Sequence, residues 1–291
     1  MGTLTSAEAS AAFRRDPDRW IDVGAGSVGY RRFGSGPDVL FVHGWPVHSA
    51  TFRTLLPALA DHVTCHLFDF PGTGGSRFDD STTLTIRQHV ETVRRVLDEL
   101  ALTSVVVVAH DSGGLIARHA LAGDRRVRAW CLLDTEQSSG LSWRFKSFIM
   151  ARKLPGLAAG LGWVSGRPRL RRMRSVFGGA FADRSLLEGE FDEFFLQPLH
   201  RDRAKRAAAA KLLASFDTRL VDELVDVHRR IEVPVQLVWG EHDAFFPLAA
   251  AEREVSTFPN AQLHVVRGAG LFVHEERPSE VAEVIRRVAT T

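Results

Sequence analysis

The sequence of 291 residues has only two cysteines, no long apolar run and no apolar leader. No segment approaches the roughly 18 consecutive apolar residues that a membrane-spanning helix requires, so we expect no association with a membrane. The first 20 residues lack the apolar core of a secretory signal, which predicts a cytoplasmic protein. Cys65 and Cys131 both lie in strand-like apolar runs and are expected to be buried, reduced thiols.

The basic residues are distributed unevenly. The formal net charge is only +2, yet residues 141–231 contain 18 lysines and arginines against 10 aspartates and glutamates. No interleaved aromatic residues or binding module accompany this charge, so nucleic acid is not an expected partner. We expect most of these side chains to form a solvated helical surface. The alternative is that they attract an anionic or phenolic substrate.

Short apolar runs and helical patterns alternate along most of the chain. After a predicted N-terminal hairpin, strand and helix signals follow each other in turn. The alternation stops over residues 137–231, which are rich in helix formers and arginine. This order predicts an α/β fold, in which residues 1–136 and 232–291 form a mostly parallel sheet with a helical insertion between two late strands. The predicted strands are 39–44, 63–70, 104–109, 127–134, 235–240 and 262–266, and the predicted helices are 50–60, 85–100, one ending near 122, 248–258 and one from 279.

The sharpest signal is "VVVVAHDSGGLIARHA" over residues 105–120, which predicts a strand, a tight turn and a helix. A nucleophile at such a strained turn needs small residues two positions before and after it, because the backbones approach closely. Asp111 meets this requirement with Ala109 and Gly113, whereas Ser112 would have the bulky His110 two positions before it. The spacing therefore selects Asp111 as nucleophile. The alternative is that Asp111 only caps the following helix.

An aspartate at this turn implies a different reaction from a serine. A carboxylate attacks an sp³ carbon, either opening an epoxide or displacing a halide, and is left as an alkyl ester. A serine in the same place would attack an acyl carbonyl. The sequence therefore favours chemistry at a saturated carbon.

Residues that follow other predicted strands are candidate partners of the nucleophile. "HGWP" (43–46) follows the first central strand, so the backbone N–H groups of Trp45 and Ser112 would form an oxyanion hole. Asp243 comes just after strand 235–240 and is the candidate acid of a catalytic triad. Asp134 ends the preceding strand and is a second possible acid.

Together these motifs resemble the α/β-hydrolase fold, and specifically its aspartate-nucleophile branch of epoxide hydrolases and haloalkane dehalogenases. The resemblance extends over about residues 20–290. It implies that the insertion is a helical cap, that neither a metal nor an organic cofactor is used, and that the substrate is a small apolar or aromatic molecule. A monomer or homodimer is expected. In this branch a histidine, oriented by the acid, activates the water that hydrolyses the alkyl ester.

Three features depart from the pattern of that branch. Ser112 stands where dehalogenases and many epoxide hydrolases carry a tryptophan. The only tyrosine, Tyr30, lies in the N-terminal hairpin, whereas epoxide hydrolases polarise the ring oxygen with tyrosines of the cap. In "GAGLFVHEERP" (268–278) the expected general-base histidine is replaced by Leu271, which cannot accept a proton. His274, three residues later, is a second candidate base, and a surface or cap-contacting position is its alternative.

The missing histidine leaves three interpretations. The chain is an engineered variant that traps an intermediate or bound substrate, a natural relative whose cyclisation or elimination needs no ester hydrolysis, or a binding protein without turnover. We predict an epoxide-hydrolase-like enzyme with Asp111 as nucleophile and Asp243 as acid. A haloalkane dehalogenase is the alternative. The epoxide is favoured because Ser112 stands in place of the halide-side tryptophan. The further candidates are His43 and His110, interpreted as structural, and the possible pocket walls Trp45, Trp143, Trp163 and Phe246.

Overall fold

The computed structural model describes residues 4–24, 26–152 and 155–290, and within these ranges eight strands form one sheet. Along the sheet the strands lie in the order β1-β2-β4-β3-β5-β6-β7-β8. The strands are β1 (Arg19–Asp22), β2 (Ser27–Gly34), β3 (Asp38–Val42), β4 (Thr64–Asp69), β5 (Val105–His110), β6 (Val127–Leu133), β7 (Val235–Gly240) and β8 (Ala261–Val266).

The α-helices of the described ranges lie between and after these strands. They are α1 (Ser6–Phe13), α2 (Leu56–Leu59), α3 (Ile86–Glu99), α4 (Ser112–Leu121), α5 (Trp143–Ala151), α6 (Leu157–Ser165), α7 (Pro168–Arg171), α8 (Gln197–Arg201), α9 (Arg203–Ala214), α10 (Arg219–Asp222), α11 (Leu224–Arg229), α12 (Leu248–Glu254), α13 (Val273–Glu276) and α14 (Pro278–Thr290). Short 3₁₀ turns lie at Ser49–Phe52, Phe177–Gly179, Arg184–Leu187 and Val255–Thr257, and a π-helical turn at Asp192–Leu196.

The sheet is mostly parallel, as the sequence predicts. Strands β3 to β8 run parallel, and only the hairpin of β1 and β2 pairs antiparallel, joining the sheet along β4. Every residue of β5 is buried, because α4 and α14 both pack on it. Its β-branched run without a polar face is therefore the signature of a strand covered on both sides.

The inserted segment between β6 and β7 contains helices α5 to α11, and no strand occurs in its described residues 137–152 and 155–231. Helix α6 packs against α8 and α9. The segment follows the carboxyl end of β6, and it helps to enclose the cavity described below. The predicted α/β architecture, a mostly parallel sheet with a helical insertion between two late strands, is therefore confirmed. No helix in the described part of the chain combines the length and apolar character needed to span a bilayer.

Two local predictions need correction. The expected helix over 50–60 is divided into the 3₁₀ turn Ser49–Phe52 and helix α2, which starts at Leu56 with Pro57 in its first turn. Proline lacks a backbone N–H and is tolerated only at the start of a helix, so the break falls before it. Helix α1 was not predicted from the sequence, although Thr5 and Glu8 form a reciprocal capping box at its start. Both cysteines are buried and unpaired, as expected.

The turn between β5 and α4 has the strained geometry that the small flanking residues predict. Asp111 has φ 52° and ψ −139°, a conformation that non-glycine residues rarely adopt. A Cβ atom at Gly113 would lie 2.4 Å from the carbonyl oxygen of His43 and 2.5 Å from that of Val42. Glycine is therefore required at 113 because the backbone after β3 passes directly over it.

We expect Gly113→Ala to destabilise the protein, since the backbone atoms it would meet cannot move without displacing β3. Overpacking of this kind typically costs about 1–3 kcal/mol in the free energy of unfolding. Gly160→Ala is the matched control, because a Cβ atom there meets no described atom within 4 Å and Gly160 lies inside α6. That change should stabilise the protein by up to about 1 kcal/mol. Urea unfolding of both variants measures the effects, and an unaltered midpoint for Gly113→Ala would contradict the close approach.

Candidate active site

Asp111 lies at the carboxyl end of β5 with its side chain held by backbone N–H groups. The N–H of Trp45 donates to Asp111 Oδ2 (2.8 Å) and also lies 3.1 Å from Ser112 Oγ. Burial raises the pKa of the Asp111 carboxyl to about 6. The hydrogen bonds from the backbone N–H groups of Ser112 and Trp45 lower this pKa but do not cancel the effect of burial. The two N–H groups expected to form an oxyanion hole therefore converge on this carboxyl, which is mostly ionised at neutral pH.

Asp111 faces a cavity of about 320 Å³ between the sheet and the inserted segment. Ten of the 19 phenylalanines line it. None of the described lining residues is basic, and some arginines of the insertion form ion pairs elsewhere, such as Arg171 with Asp192 and Arg172 with Glu188. Such a cavity suits an uncharged apolar or aromatic molecule. Its phenylalanines include Phe145, Phe148, Phe181, Phe191, Phe195 and Phe272.

The structure separates the four candidate pocket walls into two pairs. Trp45 and Phe246 line the cavity. Trp143 is 75% exposed, Trp163 is 53% exposed, and neither lines it, so these two assignments are wrong. In α6 the cavity face consists of positions 157, 160, 161 and 164, a helical stripe that leaves Trp163 outside it. Trp163 instead stacks on the guanidinium of Arg167, 4.4 Å from the ring centroid.

Leu271 lies in the cavity wall at the place where the family resemblance puts the histidine. Its backbone N–H donates to the carbonyl of Ala180 (2.9 Å), and its carbonyl accepts from His110 Nε2 (3.0 Å). The N–H of His242, next to Asp243, donates to the carbonyl of Ala269 (2.8 Å) and so joins the loops after β7 and β8. The loop at 271 is therefore fixed through its backbone beside the loop of the candidate acid.

The two candidate acids, Asp243 and Asp134, form one buried carboxyl pair. Asp243 Oδ1 accepts from the N–H groups of Phe245 (2.7 Å) and Phe246 (3.0 Å), and Asp134 Oδ1 accepts from that of Gly240 (2.8 Å). The two Oδ2 atoms are buried and have no hydrogen-bond partner among the described residues. We expect one proton shared between the two carboxyls to satisfy both oxygens. Burial raises the pKa of Asp243 to about 7, and burial followed by the charge of Asp243 raises the pKa of Asp134 well above its ordinary value.

The remaining histidines lie outside the cavity. His274 is completely buried in α13, with Nε2 2.7 Å from Thr51 Oγ1, so both the surface position and the role of base are wrong for it. Burial lowers the pKa of its imidazole well below the usual value. His43 Nε2 accepts from the N–H of Phe70 (3.1 Å), and its Nδ1 donates to the carbonyl of Gly44 (3.0 Å). This arrangement joins the loops after β3 and β4, as expected of a structural histidine.

Glu136 is the site residue that sequence reasoning missed. It follows β6 by three positions, is 1% exposed and lines the cavity together with Asp111. Its Oε2 accepts from the Thr135 hydroxyl (3.1 Å), and its Oε1 has no partner among the described residues. Burial, followed by the charge of Asp111, raises the pKa of Glu136 to about 8. The one sequence feature that could have indicated Glu136 is its place as an acidic residue just beyond the carboxyl end of a central strand. In the described chain no group of three or more His, Cys, Asp or Glu side chains could hold a metal ion.

Comparison with known proteins identifies the family of the chain. A model of the alpha/beta hydrolase family matches residues 39–284, so the chain belongs to that family. Haloalkane dehalogenase 2 of Mycobacterium tuberculosis is 27% identical over 280 residues, covering 92% of this chain and 93% of that protein. A pimeloyl-[acyl-carrier protein] methyl ester esterase of Xanthomonas campestris pv. campestris is 28% identical over 273 residues, covering 87% of this chain and 95% of that protein.

Solved structures agree on the fold. An α/β-hydrolase-fold protein of Burkholderia ambifaria has a TM-score of 0.77 at 24% identity, covering 93% of this chain and 97% of that chain. The epoxide hydrolase CorEH has a TM-score of 0.75 at 21% identity, with the same coverage of 93% and 97%. These relatives catalyse different reactions, so similarity to them does not specify the reaction of this chain.

The carboxyl pair predicts how stability depends on pH. A carboxyl whose pKa is raised in the folded state stabilises the protein below its unfolded pKa of about 4, and this stability is lost as pH rises through the folded value. Because Asp243 titrates at about 7, the free energy of unfolding should fall between pH 5 and pH 8. In Asp134→Asn the amide donates to Asp243 at every pH, so the fall should be smaller by at least about 1.4 kcal/mol.

Urea unfolding at several pH values between 5 and 8 measures this difference. The buried histidines contribute equally to both proteins and cancel in the comparison. Asp226→Asn serves as control, since Asp226 is an exposed partner of Arg229. Parallel curves for Asp134→Asn and the unchanged protein would exclude the shared proton.

Proposed function

We propose that the protein binds a small, uncharged apolar or aromatic epoxide and opens it with the Asp111 carboxylate, forming an alkyl ester on the enzyme. The observation that carries this proposal is the geometry of Asp111. Its ionised side chain stands at a strained turn, is held at Oδ2 by the Trp45 N–H and faces a phenylalanine-rich cavity. A carboxylate in that position is a nucleophile for a saturated carbon.

The surroundings of Ser112 argue against an acyl-transfer reaction. A serine nucleophile needs a general base within hydrogen-bonding reach. No histidine lies among the described residues of the cavity wall, and Ser112 Oγ instead contacts Asp111 Oδ2 at 3.3 Å. The seryl hydroxyl therefore belongs to the surroundings of the Asp111 carboxylate.

The hydrogen bonding of Trp45 favours an epoxide over an alkyl halide. A displaced halide is stabilised by N–H donors that point into the cavity. Trp45 is the only indole among the described lining residues, and its Nε1–H donates to the carbonyl of Ala209 (2.8 Å). With Ser112 after the nucleophile, no indole N–H is free to receive the halide. Haloalkane dehalogenation, the activity named for one relative, is the second candidate and is tested in the same experiment.

The ester is expected to persist. Its hydrolysis needs a base beside Asp111, and position 271 offers only a leucine side chain. The acid pair that would orient such a base holds a proton between its own members. Ring opening is therefore supported by the site, and release of a diol is the slow step.

We expect incubation with styrene oxide to add the mass of one epoxide to the protein. Intact-protein mass spectrometry follows the adduct, and peptide mapping should locate it at Asp111. The adduct should be absent from Asp111→Asn, whose neutral amide is a poor nucleophile. The same measurement with 2-phenylethyl bromide tests the dehalogenase candidate. An adduct on Ser112, or equal labelling of Asp111→Asn, would refute Asp111 as the nucleophile.

We expect Leu271→His to accelerate loss of the ester by about 10²- to 10⁴-fold, the usual contribution of general-base catalysis. Leucine and histidine differ little in volume, and the loop is fixed through its backbone, so the imidazole should enter the cavity beside Asp111. The rate of adduct disappearance and the amount of diol formed measure the effect.

The gain should vanish when Leu271→His is combined with Asp243→Ala, because members of a triad act as a unit. Residual rescue through Asp134 is the one exception allowed by the carboxyl pair. A folded Leu271→His variant that forms the adduct but keeps it as long as the unchanged protein would show that the site no longer supports ester hydrolysis.

A further inference from the structure

Ring opening of an epoxide leaves an oxygen that needs a proton, and no tyrosine supplies one here. Tyr30 lies in β2, which is separated from β5 by β4 and β3, and its hydroxyl contacts His66 Nδ1 (2.7 Å). Among the described residues that line the cavity, the only side chains with carboxyl groups are Asp111 and Glu136. If Asp111 attacks the carbon, Glu136 is the remaining acid within the cavity wall.

We propose that Glu136 is the proton donor that protonates the ring oxygen while Asp111 attacks the adjacent carbon. This inference rests on the proposed function and adds a second catalytic residue to it.

The backbone at Glu136 is fixed, while one side-chain oxygen is left free. Its carbonyl accepts from Arg118 Nη2 (2.7 Å), and the Thr135 hydroxyl lies within hydrogen-bonding distance of both Asp111 O (2.8 Å) and Glu136 Oε2 (3.1 Å). Thr135 thus joins the loop after β6 to the turn that carries Asp111. Glu136 Oε1 is buried and has no hydrogen-bond partner among the described residues, while Glu136 itself lines the cavity, so a polar group of a ligand would complete its hydrogen bonding.

The nearest cation does not pair with the Glu136 carboxyl. Arg118 donates to the carbonyls of Gly114 (3.0 Å) and Glu136, and its Nη1 contacts His228 (2.9 Å). Its ionic partner is Glu254, at 3.7 Å. A buried carboxyl without a cation of its own is held neutral, and the charge of the ionised Asp111 adds to this effect.

The two carboxyls therefore occupy different protonation states at neutral pH. The pKa of Asp111 is about 6 and that of Glu136 about 8, and the charged groups that act on Glu136 are Asp111 and Arg118. Two carboxyls whose pKa values are separated in this way take the roles of nucleophile and acid.

The step balances within the site. A bond forms between an Asp111 oxygen and the epoxide carbon, and the bond between that carbon and the ring oxygen breaks. The electron pair of the broken bond stays on the ring oxygen, which takes the proton of Glu136. The products are a β-hydroxyalkyl ester of Asp111 and an ionised Glu136, which is reprotonated from water.

Two alkylating compounds with related carbon skeletons separate this role from a structural one. Opening of styrene oxide needs a proton, whereas displacement of bromide from 2-phenylethyl bromide does not. We expect Glu136→Gln to slow adduct formation with the epoxide by about 10²-fold or more, the scale of general-acid catalysis. The rate with the bromide should stay within about twofold of the unchanged protein, since no proton transfer is involved.

The pH dependence of the unchanged protein provides a second measurement that needs no variant. With both compounds the rate should rise through about pH 6 as Asp111 ionises. With the epoxide alone it should fall again above about pH 8, when Glu136 loses its proton. Glu136→Gln should abolish that fall.

Three results would overturn the donor role and leave Asp111 as the nucleophile. They are equal slowing of the reactions of both compounds by Glu136→Gln, no slowing of either reaction, and an epoxide rate that stays level above pH 8. If neither compound forms an adduct with the unchanged protein, the proposed function is overturned, and the role of Glu136 with it.

Discussion

The contact between the Asp111 turn and the backbone after β3 is the constraint on which the candidate site depends. The loop after β3 passes so close that a Cβ atom at Gly44 would lie 2.4 Å from Asp111 Oδ2, and one at Gly113 equally close to the carbonyl of His43. Only with glycine on both sides does the Trp45 N–H reach the carboxylate at 2.8 Å. The strained backbone of Asp111 then directs its side chain into the cavity rather than back onto α4. The same close approach of the two backbones therefore determines both the packing at the turn and the hydrogen bond to the Asp111 carboxylate.

The site gathers four buried carboxyl groups and has no histidine among the described residues of its cavity wall. Asp111, Glu136, Asp134 and Asp243 all lie at the carboxyl ends of β5, β6 and β7, and all are buried. An imidazole at position 271 could accept a proton and become the cation that balances Asp243. Leucine cannot, so the negative charge is limited by protonation of the carboxyls instead. Burial is the first cause of the raised pKa of all four groups, and the charge of a neighbouring carboxyl adds to it for Asp134, Glu136 and Asp243.

The parts of the fold that sequence patterns predicted are those determined by local rules. The strand–turn–helix around Asp111 is predictable because contacts within a few positions require its small residues. The predicted strand limits agree with the structure to within about two residues, because buried parallel strands have continuous apolar runs. The phenylalanine-lined cavity could not be predicted, since helices separated by tens of residues contribute to it. For the same reason Trp143 and Trp163 were placed in its wall: an aromatic residue in a helical segment does not reveal which face meets the sheet. Glu136 could not be predicted, because no local pattern shows that a side chain beyond the end of β6 enters the cavity wall.

Leu271 lies in a loop whose hydrogen bonds do not depend on its side chain. The loop that carries it is held by backbone groups: Leu271 N–H to Ala180, Leu271 carbonyl to His110, and Gly270 N–H to Glu276 Oε2 at 2.5 Å. None of these contacts involves the side chain at 271, so the identity of that side chain can change without rebuilding the loop. The neighbouring acid pair likewise keeps its hydrogen bonds from Phe245, Phe246 and Gly240 whether or not an imidazole is present. In the proposed reaction, formation of the ester depends on the turn at Asp111, and its hydrolysis depends on the side chain at position 271. A leucine at that position leaves the arrangement at Asp111 intact.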